Sequence, residues 1–94
     1  MDVRYYLDPD TGQPHIYGHG VTEREVEEVL RGRGEDLQAT GNSRRKIGPT
    51  MAGRLLQVFY VPDEDPASVF VITAYEPQGK AQKAFRRRQR RKPK

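Results

Sequence analysis

Apolar positions are unevenly spaced along this chain, and their spacing predicts its elements. The densest stretch is GRLLQVFYVPDEDPASVFVITAYE, residues 53–76. Two runs rich in β-branched and aromatic residues, LLQVFYV and VFVITAY, flank the charged, turn-forming segment PDEDPAS. This pattern predicts an antiparallel hairpin. Both runs are apolar at nearly every position, which puts them at the centre of a small sheet.

The rest of the chain is placed around that hairpin. VRYYL, residues 3–7, is a β-prone run ended by the turn signal DPDTG, and is expected at the sheet edge. Residues 13–20 carry two glycines, a proline and two histidines, which argues against a long regular helix. Thr22-Glu23-Arg24-Glu25 then spells a capping box, with Val21 and Val26 at the two positions of a hydrophobic staple. Val26, Val29 and Leu30 form one apolar stripe, and Arg31 and Gly32 close the helix. Residues 32–43 read as a polar loop. Residues 44–50, RRKIGPT, read as a further strand that Pro49 demotes to an edge. Residues 79–91 have helix-forming residues whose apolar handle is Ala81, Ala84 and Phe85, with a fraying end. The expected architecture is therefore α+β: a small antiparallel meander sheet of about four strands with two to three helices packed on it.

Register follows from alternation. Pairing Val58 with Ile72 sets Leu56 against Ala74 and Tyr60 against Phe70, an apolar face for the Val26/Val29/Leu30 stripe. The other face then carries Leu55, Gln57 and Phe59 beside Tyr75, Thr73 and Val71. A tight turn at residues 50–53 pairs Ile47 with Leu56 and sends Arg44 and Lys46 to this second face. Cations beside Phe59 and Tyr75 would suit single-stranded RNA, which needs phosphate-holding charges and rings that stack on bases. The alternative is that the C-terminal helix covers this face through Phe85, leaving Phe59 and Tyr75 as core.

Charge sharpens the picture. Ninety-four residues make one domain, and the net charge of +4 hides a split. Residues 80–94 carry nine Lys or Arg and no acid. Eight basic and all 13 acidic side chains are left in residues 1–79, a net −5. The expected organisation is a compact body, 1–79, and a basic helix and tail, 80–94. That asymmetry points to a polyanionic partner. Within the basic part, Lys83, Arg86 and Arg87 are candidate nucleic-acid contacts, together with Arg44, Arg45 and Lys46. The tail 86–92 has electrostatic affinity and no chemistry of its own, and an acidic protein is an alternative partner.

Chemistry-bearing motifs are few. With no cysteine there are no disulfides or thiolate metal sites. His15 and His19 are four apart, but Gly18 and Gly20 break the helix that would present them to a metal, so no metal or cofactor is expected. A histidine is suited to proton transfer near neutral pH, although a loop histidine satisfied by backbone is commoner. No signal peptide or membrane-length apolar run is present, which predicts a soluble cytoplasmic protein without a membrane partner.

In order, RYYLDP, HGVTEREVEEVL, RRKIGPTMAGRLLQVFYV and VFVITAYEPQGKAQKAFRR resemble the BrnT-like toxins of the RelE/ParE superfamily, and a closely related family of small bacterial domains. The resemblance covers roughly residues 3 to 88. It implies a RelE-like fold and a toxin of a type II toxin–antitoxin pair, usually a metal-independent endoribonuclease. The implied partners are RNA, free or ribosome-associated, and a cognate antitoxin. In that chemistry the 2′-hydroxyl attacks the adjacent phosphate, with a base, an acid and cations supplied by the protein. Matching strands maps phosphate holding onto Arg45, Lys46 and Arg54, and proton transfer onto Tyr75, Lys80 or His15. Arg54, Tyr75, Lys80 and His15 are thus the implied catalytic set. One departure is plain: BrnT-like chains usually read S-A-R where this chain has Ala74-Tyr75-Glu76-Pro77, leaving Arg54 or Lys80 to replace that arginine. The alternative function is a non-catalytic nucleic-acid-binding domain.

Overall fold

A computed structural model describes residues 1–65 and 67–91, with no account of the Arg91 side chain. Pro66 of the hairpin turn and the end of the basic tail, residues 92–94, lie outside the described residues.

The elements are strand β1 (Asp2–Tyr5), a 3-10 turn (His15–His19), helix α1 (Glu23–Arg31) and strand β2 (Glu35–Gln38), then β3 (Arg44–Pro49), β4 (Leu55–Pro62), β5 (Ser68–Tyr75) and helix α2 (Gly79–Arg91). Among the described residues the strands form one sheet in the order β1-β5-β4-β3-β2. The β4–β5 hairpin lies inside it, with β1 at one edge, as the hydrophobic runs predicted. No described helix is long and apolar enough to cross a membrane.

Three expectations are corrected. The sheet has five strands and is mixed, because β1 runs parallel to β5, with Val3 beside Val69 and Tyr5 beside Val71. The long intervening chain permits this parallel pairing, which a tight hairpin would forbid. β2 lies within the stretch read as a polar loop, so β3 is interior and Pro49 merely ends it. Gly34 makes this possible: a Cβ there would lie 2.2 Å from the Ile47 carbonyl oxygen.

Register also slips. The β3–β4 loop has three residues, Met51 to Gly53, with Gly53 at φ 90° and the Thr50 amide donating to the Arg54 carbonyl at 2.8 Å. Gly48 therefore opposes Leu56, and Ile47 opposes Gln57. In β4–β5, Val58 pairs with Ala74 and Tyr60 with Val71, and the register shifts at Phe59/Tyr60. The bulge moves Ile72 and Phe70 off the core face and brings in Val71 and Val69.

The core between sheet and α1 holds Ile16, Val21, Val26, Val29, Leu56, Val58, Tyr60, Val69, Val71 and Ala74. α1 starts as its sequence dictates. Thr22 Oγ1 accepts from the Glu25 amide at 3.2 Å, and the Thr22 amide donates to Glu25 Oε1 at 3.0 Å. On the opposite face α2 crosses one end of the sheet. Phe85 is buried near Pro49, Gly53 and Leu55, and the Arg88 guanidinium grips the Glu35 carboxylate with two nitrogens at 2.6–2.7 Å.

Candidate functional site

The sheet face away from α1 is only partly covered. Ile47 and Gln57 are buried at the α2 end, while Arg45, Phe59, Val61, Phe70, Ile72 and Tyr75 remain half-exposed. A continuous run of rings borders this open region. Phe59 stacks on Tyr75, with centroids 5.7 Å apart and planes at 30°. Tyr75 meets His19 at 5.4 Å, His19 meets His15 edge-on at 5.3 Å, and His15 meets Tyr6 at 5.9 Å.

Local sequence explains the run. The 3-10 turn is anchored by Ile16 in the core, so His15 and His19 flank it on the side facing β5. Gly20, at φ 70°, ends the turn and gives its amide to the Ile16 and Tyr17 carbonyls. The stretch thus forms a short 3-10 turn ended by Gly20 and no long regular helix, as its glycines and proline implied. Nδ1 of His15, with the side chain 39% exposed, lies 3.7 Å from Asp8 Oδ2. His19, Tyr75, Glu76 and Gln78 line a surface recess. Among the described residues no group of three His, Asp or Glu side chains is arranged to hold a metal ion.

The expected site residues are scattered over the molecule. Tyr75 and His15 come together through His19, which the sequence had offered only as a metal partner. Its four-residue spacing from His15 was the available signal. Arg45 opposes Phe59 on the open face. Lys80, Lys83, Arg86 and Arg87 are exposed on α2.

The register slip carries Arg44 and Lys46 to the α1 face, a correction to their expected place beside Phe59. Arg44 Nε donates to Asp36 Oδ1 at 2.9 Å, and Asp36 also accepts from the Tyr60 hydroxyl at 2.6 Å. Lys46 Nζ donates to the Leu30 and Gly32 carbonyls at 2.8 and 2.7 Å, closing the C-terminal end of α1.

Arg54 also lies on the α1 side. Its Nη1 donates to the Gly20 carbonyl at 2.9 Å and to both Glu25 oxygens at 3.1 Å, and its Nε donates to Glu76 Oε1 at 3.0 Å. Burial opposes the charge on Arg54, but the two carboxylates hold its pKa above the ordinary arginine value. Burial likewise raises the Glu25 carboxyl, and the Thr22 amide and Arg54 outweigh it, leaving the pKa below the ordinary range.

Compared with protein-family models, curated proteins and solved structures, the chain matches none.

Proposed function

We propose that this chain binds single-stranded RNA across the open sheet face and cleaves it without metal at the His15/His19/Tyr75 corner. This is the activity of a type II toxin, held in check by an antitoxin. One observation carries the reading: two imidazoles and a phenol sit in contact at the end of a ring-lined face whose border is the cationic helix α2. Rings stack on any base, and cations track the phosphates between them. Imidazole is the side chain that both accepts and gives up protons near neutral pH. In the proposed step, one histidine takes the 2′-hydroxyl proton as the O2′–P bond forms. The other, or Tyr75, delivers a proton to O5′ as the P–O5′ bond breaks. Lys80, exposed at the start of α2, is the cation offered for the phosphorane charge.

A second reading is favoured by the engagement of Arg54 with two carboxylates, which takes that guanidinium away from phosphate. In it, the same face binds RNA without cleaving it. The deciding experiment is cleavage of a single-stranded oligoribonucleotide in EDTA by wild type, His15→Ala, His19→Ala and Tyr75→Phe. Ends carrying 2′,3′-cyclic phosphate, lost in the histidine variants, are expected. Salt-sensitive retention of intact RNA by the wild type would transfer the conclusion to the binding module.

A further inference from the structure

We propose that Arg54 is the positioning residue of the candidate site, fixing His19 against Tyr75 by tying together the backbone segments that carry them. The functional consequence rests on the ribonuclease reading; the positioning itself does not.

The guanidinium spans three elements. Gly20, whose carbonyl it binds, directly follows His19. Glu76, whose carboxylate it binds, directly follows Tyr75. Glu25, which accepts from the same Nη1, simultaneously closes the capping box of α1. A single planar fork thus joins the exit of the 3-10 turn, the start of α1 and the end of β5. The His19 and Tyr75 rings meet at 5.4 Å just beyond the two anchored neighbours.

Two features separate this role from direct phosphate binding. Arg54 stands just ahead of β4, two residues before the core residue Leu56, and pairs with α1, so it acts from the side of the sheet opposite the rings. Its Nε and Nη1 donors are also already committed to two carboxylates and a carbonyl, and the side chain is only 29% exposed. Turning Nε or Nη1 to a phosphate would require breaking those contacts. Lysine cannot substitute, because an ammonium is a point charge and lacks the rigid fork that meets three acceptors in different directions. An unanchored Gly20 would let the 3-10 turn, and His19 with it, drift from Tyr75. Misplacement of reacting groups by about 1 Å costs on the order of a hundredfold in rate.

The test uses Arg54→Lys and Glu76→Gln in the full chain, with two readouts. One is the NMR position of the His19 Hε1 proton, which senses the Tyr75 ring. The other is the separation of kcat from KM on a single-stranded oligoribonucleotide. In folded Arg54→Lys the His19 signal is expected to leave its wild-type position. kcat should fall roughly 10- to 100-fold with KM nearly unchanged. Glu76→Gln, which removes the charge from one exposed arm and threatens the fold less, should move the same signal in the same direction by a smaller amount.

An undisturbed His19 signal in folded Arg54→Lys overturns the proposal. So does an undisturbed signal in Glu76→Gln if Arg54→Lys does not fold. A raised KM with His19 undisturbed would instead assign Arg54 to substrate binding. Wild-type protein that cleaves nothing would sink the ribonuclease reading, while the NMR measurement still decides the role of Arg54.

Discussion

Arg45 and Lys46 are consecutive cations whose side chains leave the β3 strand on opposite sides, and their consequences separate accordingly. Lys46 meets the Leu30 and Gly32 carbonyls at the C-terminal end of α1, where the helix dipole favours a positive charge. Removing it leaves those carbonyls without their charged donor. Lys46→Met should therefore lower unfolding stability by about 1–2 kcal/mol, read from urea denaturation, with RNA affinity little changed. Arg45→Gln should do the reverse, weakening RNA retention while leaving the urea midpoint nearly in place. A variant pair in which Lys46→Met alone weakened RNA binding would contradict the assigned faces. The identity of the cluster was legible in the sequence, but its division between two faces was not. That division depends on the parity of the Met51–Gly53 loop, which begins five residues after Lys46. Gly53, third in a loop and at positive φ, was the one local sign of an odd loop length.

At the scale of elements, α1 was readable almost to the residue because its signals are local: a capping box, a staple and a stripe within ten positions. β2 was not, because nothing within EDLQ is β-prone, and what holds it is long-range. The Tyr60 hydroxyl reaches across β3 to Asp36, and Arg44 clasps the same carboxylate. The bulge at Ile72 was equally hidden, since an extra residue in an apolar run leaves no mark on the pattern. Two outcomes follow. Gly34→Ala puts a methyl group into the backbone of β3 and should destabilise by roughly 2–4 kcal/mol in urea unfolding, with far-UV dichroism showing loss of strand. Tyr60 gives a pH signature. Burial, then the hydrogen bond to Asp36, push its pKa up from 10.0 to about 12. A group raised in the folded state contributes stability that is complete below its unfolded pKa and lost as pH rises through the folded one. Stability should thus fall between pH 10 and about 12, and Tyr60→Phe should flatten that part of the curve. An unchanged alkaline slope in Tyr60→Phe would count against the Asp36 bond.

Over the whole molecule the decisive feature is the separation of charge, which the sequence displayed without ambiguity: −5 in residues 1–79 against +9 in 80–94. The fold adds direction to it. α2 turns Phe85 and Arg88 toward the sheet, so Lys80, Lys83, Arg87 and Arg90, spaced i, i+3, i+7 and i+10, form one exposed cationic row. The row spans about 15 Å at the rise of an α-helix. On the proposed RNA-binding reading, an acidic body would repel RNA on its own, so the ring-lined face would depend on this row for capture while the rings would supply contact with bases. The two contributions differ in their salt dependence. Each phosphate neutralised on a single strand contributes about 0.7 to the slope of log K against log salt, whereas stacking contributes almost none. Replacing Lys83, Arg87 and Arg90 together by glutamine should therefore lower the magnitude of the slope by about two and weaken binding most at low salt. Tyr75→Ala should weaken binding by a similar factor at every salt concentration and leave the slope unchanged. Fluorescence anisotropy with a labelled single-stranded oligoribonucleotide between low and moderate salt separates the two. If the triple variant kept the wild-type slope, the cationic row would not lie on the RNA path. If Tyr75→Ala changed the slope and not the intercept, the ring run would be packing alone, and the RNA would follow α2 without entering the sheet face.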